Sequence, residues 1–144
     1  MLRRVHPVAG IVGFLTILLF WTSTVTSELF GSQETVATVK QAIPWGFLIL
    51  VPALAIAGAS GFRMAGQSLE TRILSKKRRM PVIAGNGLLV LIPSALYLAR
   101  LAAHGEFGGV FYVVQGIELV AGALNLMLMS LNIRDGLRLT GRLA

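Results

Sequence analysis

The residues of this chain best placed to do chemistry gather on one face of its last apolar stretch. At 100° per residue, Gln115, Glu118, Gly122, Asn125, Met129 and Asn132 share an arc of about 100°. The opposite surface shows Phe111, Val113, Val120, Leu124 and Leu131. Hydrocarbon cannot satisfy a carboxyl and three amides, so this stripe is expected to face a bundle interior or a subunit interface. Glu118 lies roughly ten residues, about 15 Å, inside its helix, where a charge costs several kcal/mol unless paired, hydrated or neutralised. Gln115 and Asn125 are its helical neighbours, and Arg100 is the expected cation. These four residues form the expected intramembrane polar site. Glu118 either carries a proton or contacts a ligand there, or it stays protonated in an interhelical amide network.

A second candidate is His6, at the start of the first apolar stretch and on the same face as Gly10, Gly13 and Thr24. An imidazole beside close-packed glycines can reach a flat cofactor lodged between helices. The pattern His6-Pro7-x-x-Gly10 followed by an apolar span resembles helix starts in bacterial b-type cytochrome membrane subunits. The resemblance implies a haem b held through an axial bond from His6, as metal ligand. Met80 stands at the position equivalent to His6 in an internal repeat described below, and histidine with methionine is a known axial pair. His104 belongs to the far end of the third apolar stretch and cannot share that haem within one protomer. The structural alternative makes His6 an interfacial residue that hydrogen-bonds headgroups or a neighbouring loop.

Other chemistry is thinly represented. The absence of cysteine excludes disulfides, thiolate metal sites and cysteine nucleophiles. There is no H-E-x-x-H, no nucleophile elbow and no glycine-rich loop behind a strand, so an ordinary enzyme is not expected.

The elements that must position these residues follow from composition. Of the 144 residues, 55% are hydrophobic and 13% charged, against about 25% charged in soluble domains, which excludes an ordinary water-soluble globule. Four apolar stretches, at about 7–26, 42–62, 81–103 and 110–131, each match the roughly 20 residues that a helix needs to cross hydrocarbon. The predicted fold is therefore a single all-α membrane domain over 1–144, a bundle of four transmembrane helices. The first stretch is long and lacks an A-x-A cleavage pattern, so it reads as a retained helix rather than a signal peptide.

The net charge of +7 comes from 13 basic and 6 acidic residues. Eleven of the basic residues precede the first stretch, separate the second from the third, or follow the fourth; only Lys40 and Arg100 fall on the other side. They serve as topology signals and predict a multi-pass protein of the bacterial inner membrane with both termini cytoplasmic. No nucleic-acid partner is expected, because no soluble domain presents a basic face.

Shifting the chain by 74 residues lays Arg3-Arg4-Val5-His6-Pro7-Val8 on Lys77-Arg78-Arg79-Met80-Pro81-Val82. Each proline is expected in the first turn of its helix, where the missing N–H costs nothing. This pattern suggests a parallel duplication of a two-helix hairpin, with halves 1–72 and 73–144. Gly10 and Gly13, Ala53, Ala57 and Gly61, and Ala84 and Gly87 form small-residue faces for close helix approach. Pro52 and Pro93 are expected to kink their helices. Trp21, Trp45, Phe111 and Tyr112 read as an aromatic belt, Arg134 and Asp135 as a local pair, and Gly136 as a helix cap.

Three functions are open to such a chain. The most specific is a haem-binding electron-transfer or membrane-anchor subunit using His6 and Met80. The others are a small oligomeric proton- or cation-coupled transporter or channel built on Glu118, and a non-catalytic accessory or assembly subunit. The expected partners are the lipid bilayer and other membrane subunits or further copies of the chain.

Overall fold

Each of the four apolar stretches lies inside a helix that outruns it at one end or both. The computed structural model describes residues 1–143, which form α1 (Leu2–Phe30), α2 (Gln33–Ala65), α3 (Thr71–Asn86), α4 (Ile92–Ala103) and α5 (Gly109–Leu139). A five-residue π-helical segment, Gly87–Leu91, joins α3 to α4, making one continuous third rod. The four rods of 29, 33, 33 and 31 residues are long and apolar enough to cross a membrane. At 1.5 Å per residue they span about 43–50 Å, against a hydrocarbon core about 30 Å thick. The surplus is the polar ends, where Arg and Lys, good helix formers, extend the helices beyond the apolar stretches.

Two expectations about helix ends fail for that reason. Pro7 and Pro81 lie inside α1 and α3 rather than in their first turns, since those helices begin at Leu2 and Thr71. Gly136 is an interior residue of α5, which runs on to Leu139 and is followed by Gly141 at φ +69°. Elsewhere the ends are conventional. Ser32 caps α2 by accepting from the Thr35 N–H at 3.3 Å, with Glu34 in the positive first turn. Around Pro93 the helix widens rather than simply breaking. The Ile92 N–H bonds to the Gly87 carbonyl five residues back, one residue before the proline that has no N–H to give.

The rods alternate in direction, as the contacts of their ends show. His6 near the start of α1 meets Gly61 near the end of α2. Arg79 on α3 meets Asp135 near the end of α5. One end of the molecule therefore carries the basic segments, and the opposite end carries the 31–32 and 104–108 turns. The α1–α2 approach is close where glycine permits it. A Cβ on Gly13 would stand 2.8 Å from Leu54 Cδ2, and one on Gly46 would run into the Phe20 ring. Gly10 and Ala84 do not take part in such contacts: nothing lies within 4 Å of a Cβ on Gly10, and Ala84 is exposed.

Two apolar clusters form the core. Val36, Leu98, Leu101, Ala102 and Phe111 pack near the turn end, so Phe111 belongs to the interior and not to an aromatic belt. Ile17, Leu50, Ile83 and Met129 pack deeper, with Phe20, Phe47 and Leu54 around them. The site described next lies between the two clusters. Because Phe20 fills the notch above Gly46, Gly46→Ala should force the ring aside and lower unfolding stability by about 1–3 kcal/mol, read as a fall in melting temperature in detergent.

Candidate functional site

Between the two apolar clusters sits a buried ion pair. Lys40 Nζ donates to Glu118 Oε2 at 2.7 Å, with the lysine side chain 1% exposed and the glutamate 12%. Lys40 reaches this point because it occupies the inward stripe of α2 with Val36, Ile43 and Leu50, all buried. Its ammonium also donates to Thr24 Oγ1 at 3.4 Å, on α1. Gln115, one turn before Glu118 on α5, donates from Nε2 to the same carboxylate oxygen at 3.2 Å. Three helices thus meet at one charged knot.

A further carboxyl adjoins it. Glu28 lies one turn beyond Thr24, the hydroxyl that receives Lys40, and is itself neither hydrogen-bonded nor ion-paired to Lys40 or Glu118. Its Oε1 is buried without a hydrogen-bond partner, as is Oε1 of Gln115. The cluster holds two carboxyls and one ammonium, together with two acceptors that lack a donor. It has room in its hydrogen bonding for one more proton or cation.

The predicted polar stripe of α5 continues inward as two further layers at seven-residue intervals, about 10 Å each. In the middle layer Asn125 Oδ1 accepts from Asn86 Nδ2 at 2.9 Å, while Asn125 Nδ2 donates to the Ile83 carbonyl at 3.3 Å. Asn86 Nδ2 also reaches the Ala121 carbonyl at 2.8 Å. In the inner layer Arg79 donates to Asp135 at 2.7 Å and to Asn132 at 3.3 Å, and Arg134 stands 3.5 Å from Asp135. Each layer ties α5 to a different neighbour or a different level of the same one.

The structure thus divides the expected site. Gln115 and Glu118 come together, but Asn125 belongs to the separate amide layer. Arg100 is exposed, and its place beside Glu118 is taken by Lys40, which as a charge outside the apolar stretches reads as a topology signal. The spacing of Lys40 from Val36 and Ile43 was the available signal. Asp135 makes the expected local pair with Arg134 at 3.5 Å and a shorter one across helices with Arg79 at 2.7 Å.

A cleft of about 450 Å³ opens from this cluster along the space between α2 and the third rod. Trp21, Phe47, Leu54, Gly58, Gly87 and Leu91 are among its walls, and Glu118, Thr24 and Asn125 supply polar groups. Trp21 is no belt residue. Its indole N–H donates to the Leu119 carbonyl at 2.9 Å, and its ring lies 2.9 Å from where a Gly122 Cβ would stand.

His6 and Met80 sit at the basic end, each against α2. The His6 Nδ1 stands 3.0 Å from the Ala57 carbonyl oxygen and 3.2 Å from Ser60 Oγ; in the tautomer with its proton on Nδ1 it donates to that carbonyl and leaves Nε2 with the lone pair. Its ring packs 2.9 Å from a Cβ on Gly61. Met80 lies 3.7 Å from a Cβ on Gly58, and its sulfur accepts from Asn132 Nδ2 at 3.7 Å. Neither residue lines the cleft. Among the described residues no group of three or more histidine or acidic side chains is arranged to hold a metal ion.

If the ion pair is the knot that joins α1, α2 and α5, removing one member should cost far more than removing both. Lys40→Met leaves a buried carboxylate unpaired and should lose about 3–5 kcal/mol, whereas Lys40→Met with Glu118→Leu should recover most of it. A double-mutant cycle on unfolding in detergent measures the coupling. No family model matches this sequence, and no curated protein or solved structure is significantly similar to it.

Proposed function

We propose that this chain is a multi-pass protein of the bacterial inner membrane, with both termini cytoplasmic, in which Glu118, Lys40 and Glu28 form a proton- or cation-exchanging centre for coupled transport. The observation that carries this reading is the buried Lys40–Glu118 pair at 2.7 Å with a second carboxyl beside it whose Oε1 has no partner. A lone lysine–glutamate pair is electrically complete and serves as a lock between helices. A surplus carboxyl makes the cluster able to take up and release one positive charge without dismantling the lock.

The orientation rests on charge distribution. With Lys40 withdrawn into the interior, Arg100 is the one basic side chain left at the turn end against eleven at the other. That imbalance is the signal by which inserted helices are oriented. The duplicated hairpin rests on the matching runs Arg3–Val8 and Lys77–Val82 at the two helix starts.

A haem at His6 is a second reading, and one contact favours it. A backbone carbonyl on Nδ1 is the arrangement that orients an imidazole to ligate through Nε2. A reduced-minus-oxidised spectrum of the purified protein would then show a b-type α-band that His6→Ala removes. Colourless protein from haem-replete cells would eliminate this reading.

The transport reading is tested in proteoliposomes under an imposed potassium diffusion potential. Wild-type protein should move protons, seen with an entrapped pH dye. Glu118→Gln, which keeps an acceptor but no counter-charge for Lys40, should abolish that flux in protein whose circular dichroism stays helical, while its melting temperature falls as loss of one member of the pair requires. Unchanged flux with a lowered melting temperature would make the pair a structural lock only.

A further inference from the structure

The cleft has an unequal chemistry along its length, and that inequality defines what fits it. Its walls are overwhelmingly apolar, and small residues on both sides, Gly58 and Ala59 on α2 and Ala84 and Gly87 on the third rod, create the space. Its rim residues Val51, Phe62 and Leu88 are exposed on the outer surfaces of α2 and the third rod. In a bilayer that opening faces acyl chains, so an occupant enters from the lipid phase rather than from water.

The polar groups on the wall are nearly all spent. Asn125 uses its oxygen on Asn86 and its nitrogen on the Ile83 carbonyl. The Trp21 N–H is used on the Leu119 carbonyl, and Thr24 Oγ1 receives Lys40. Glu118 differs. Both of its protein donors, Lys40 Nζ and Gln115 Nε2, bind Oε2. Its Oε1 receives no protein donor and belongs to a side chain that is 12% exposed and lines the cleft. An apolar channel that ends on a carboxylate oxygen with a free lone pair calls for a hydrogen-bond donor on an apolar body. A carboxylate oxygen binds a cationic donor more strongly than a neutral one.

We infer that the cleft between α2 and the third rod binds a lipid-soluble amine, an apolar molecule with one protonated nitrogen, whose ammonium meets Glu118 Oε1 and whose tail lies against Leu54, Gly58 and Leu91. This inference rests on the reading of the Glu118 cluster as an exchange centre and names what exchanges there with the proton. A proton on the cluster and an ammonium against Glu118 satisfy the same surplus charge, so occupancy by one disfavours the other.

Trp21 on the cleft wall supplies the reporter. The protein has two tryptophans, and Trp45 is 75% exposed, so Trp45→Phe leaves Trp21 alone. In zwitterionic micelles, a dodecylamine brominated near the middle of its chain should quench Trp21 saturably. The equally brominated dodecanol should quench only in proportion to its content in the micelle. Glu118→Gln should weaken the amine by about tenfold and leave the alcohol unchanged. Ala59→Phe, which narrows the cleft without touching the ion pair, should weaken the amine too, and decides the matter if Glu118→Gln does not fold. Equal, non-saturating quenching by amine and alcohol would overturn the inference and make the cleft a seat for lipid chains. Proton flux in liposomes combined with that result would leave the exchange centre standing without its amine. Selective amine quenching without proton flux would keep the binding site and remove the coupling.

Discussion

A charge can enter an apolar helical interior only with its partner already in place, and the Lys40–Glu118 contact meets that condition here. Burying either group alone would cost several kcal/mol. Burying both at 2.7 Å, with Thr24 and Gln115 as further partners, turns the cost into a specification of which helices are neighbours and at what height. The apolar clusters on either side are compatible with many small sliding motions of one rod along another. The ion pair is not, because a slip of one turn would strand two charges.

The same reasoning repeats down α5. The middle layer is neutral, Asn86 against Asn125, and the inner layer is charged again, Arg79 against Asp135. Polar contacts in membrane interiors contribute modestly to net stability, since the separated helices also find partners. Their greater effect is on register, because each satisfied layer has one arrangement in which no donor or acceptor is orphaned. Against that background the unpartnered oxygens of Glu28 and Gln115 stand out, for they are the two buried side-chain atoms among the described residues that the scheme leaves unsatisfied.

Much of this was legible in the sequence, and what was not has definite causes. Helix number, approximate limits and the inward face of α5 follow from hydropathy and a period of 3.6 residues, which depend on one helix at a time. Pairings between helices do not. Glu118 was recognisable as costly, but Arg100 seemed its cation because it lies in an apolar stretch, whereas Lys40 stands just outside one. The lysine's long stem carries its ammonium inward from that margin, and its spacing from Val36 and Ile43 was the overlooked sign. Asn86 was missed because nothing in its own helix marks it as the complement of Asn125. The helix ends were misjudged where basic residues continued the helix beyond the apolar stretch, as at Thr71 and Leu139.

The wide turn at Gly87–Leu91 sets the phase of everything that follows it. Twelve residues separate Ile83 from Ala95, both buried, and on an unbroken α-helix that interval would turn them about 120° apart. A π-bulge absorbs one residue, so the effective interval is eleven and the two point within about 20° of each other. The first half of the rod can thereby offer Asn86 to α5 while the second half brings Leu98 and Leu101 against Val36 and Phe111. Seen this way the third rod works as two keys cut on one shaft, and the bulge is the angle at which the second key was cut.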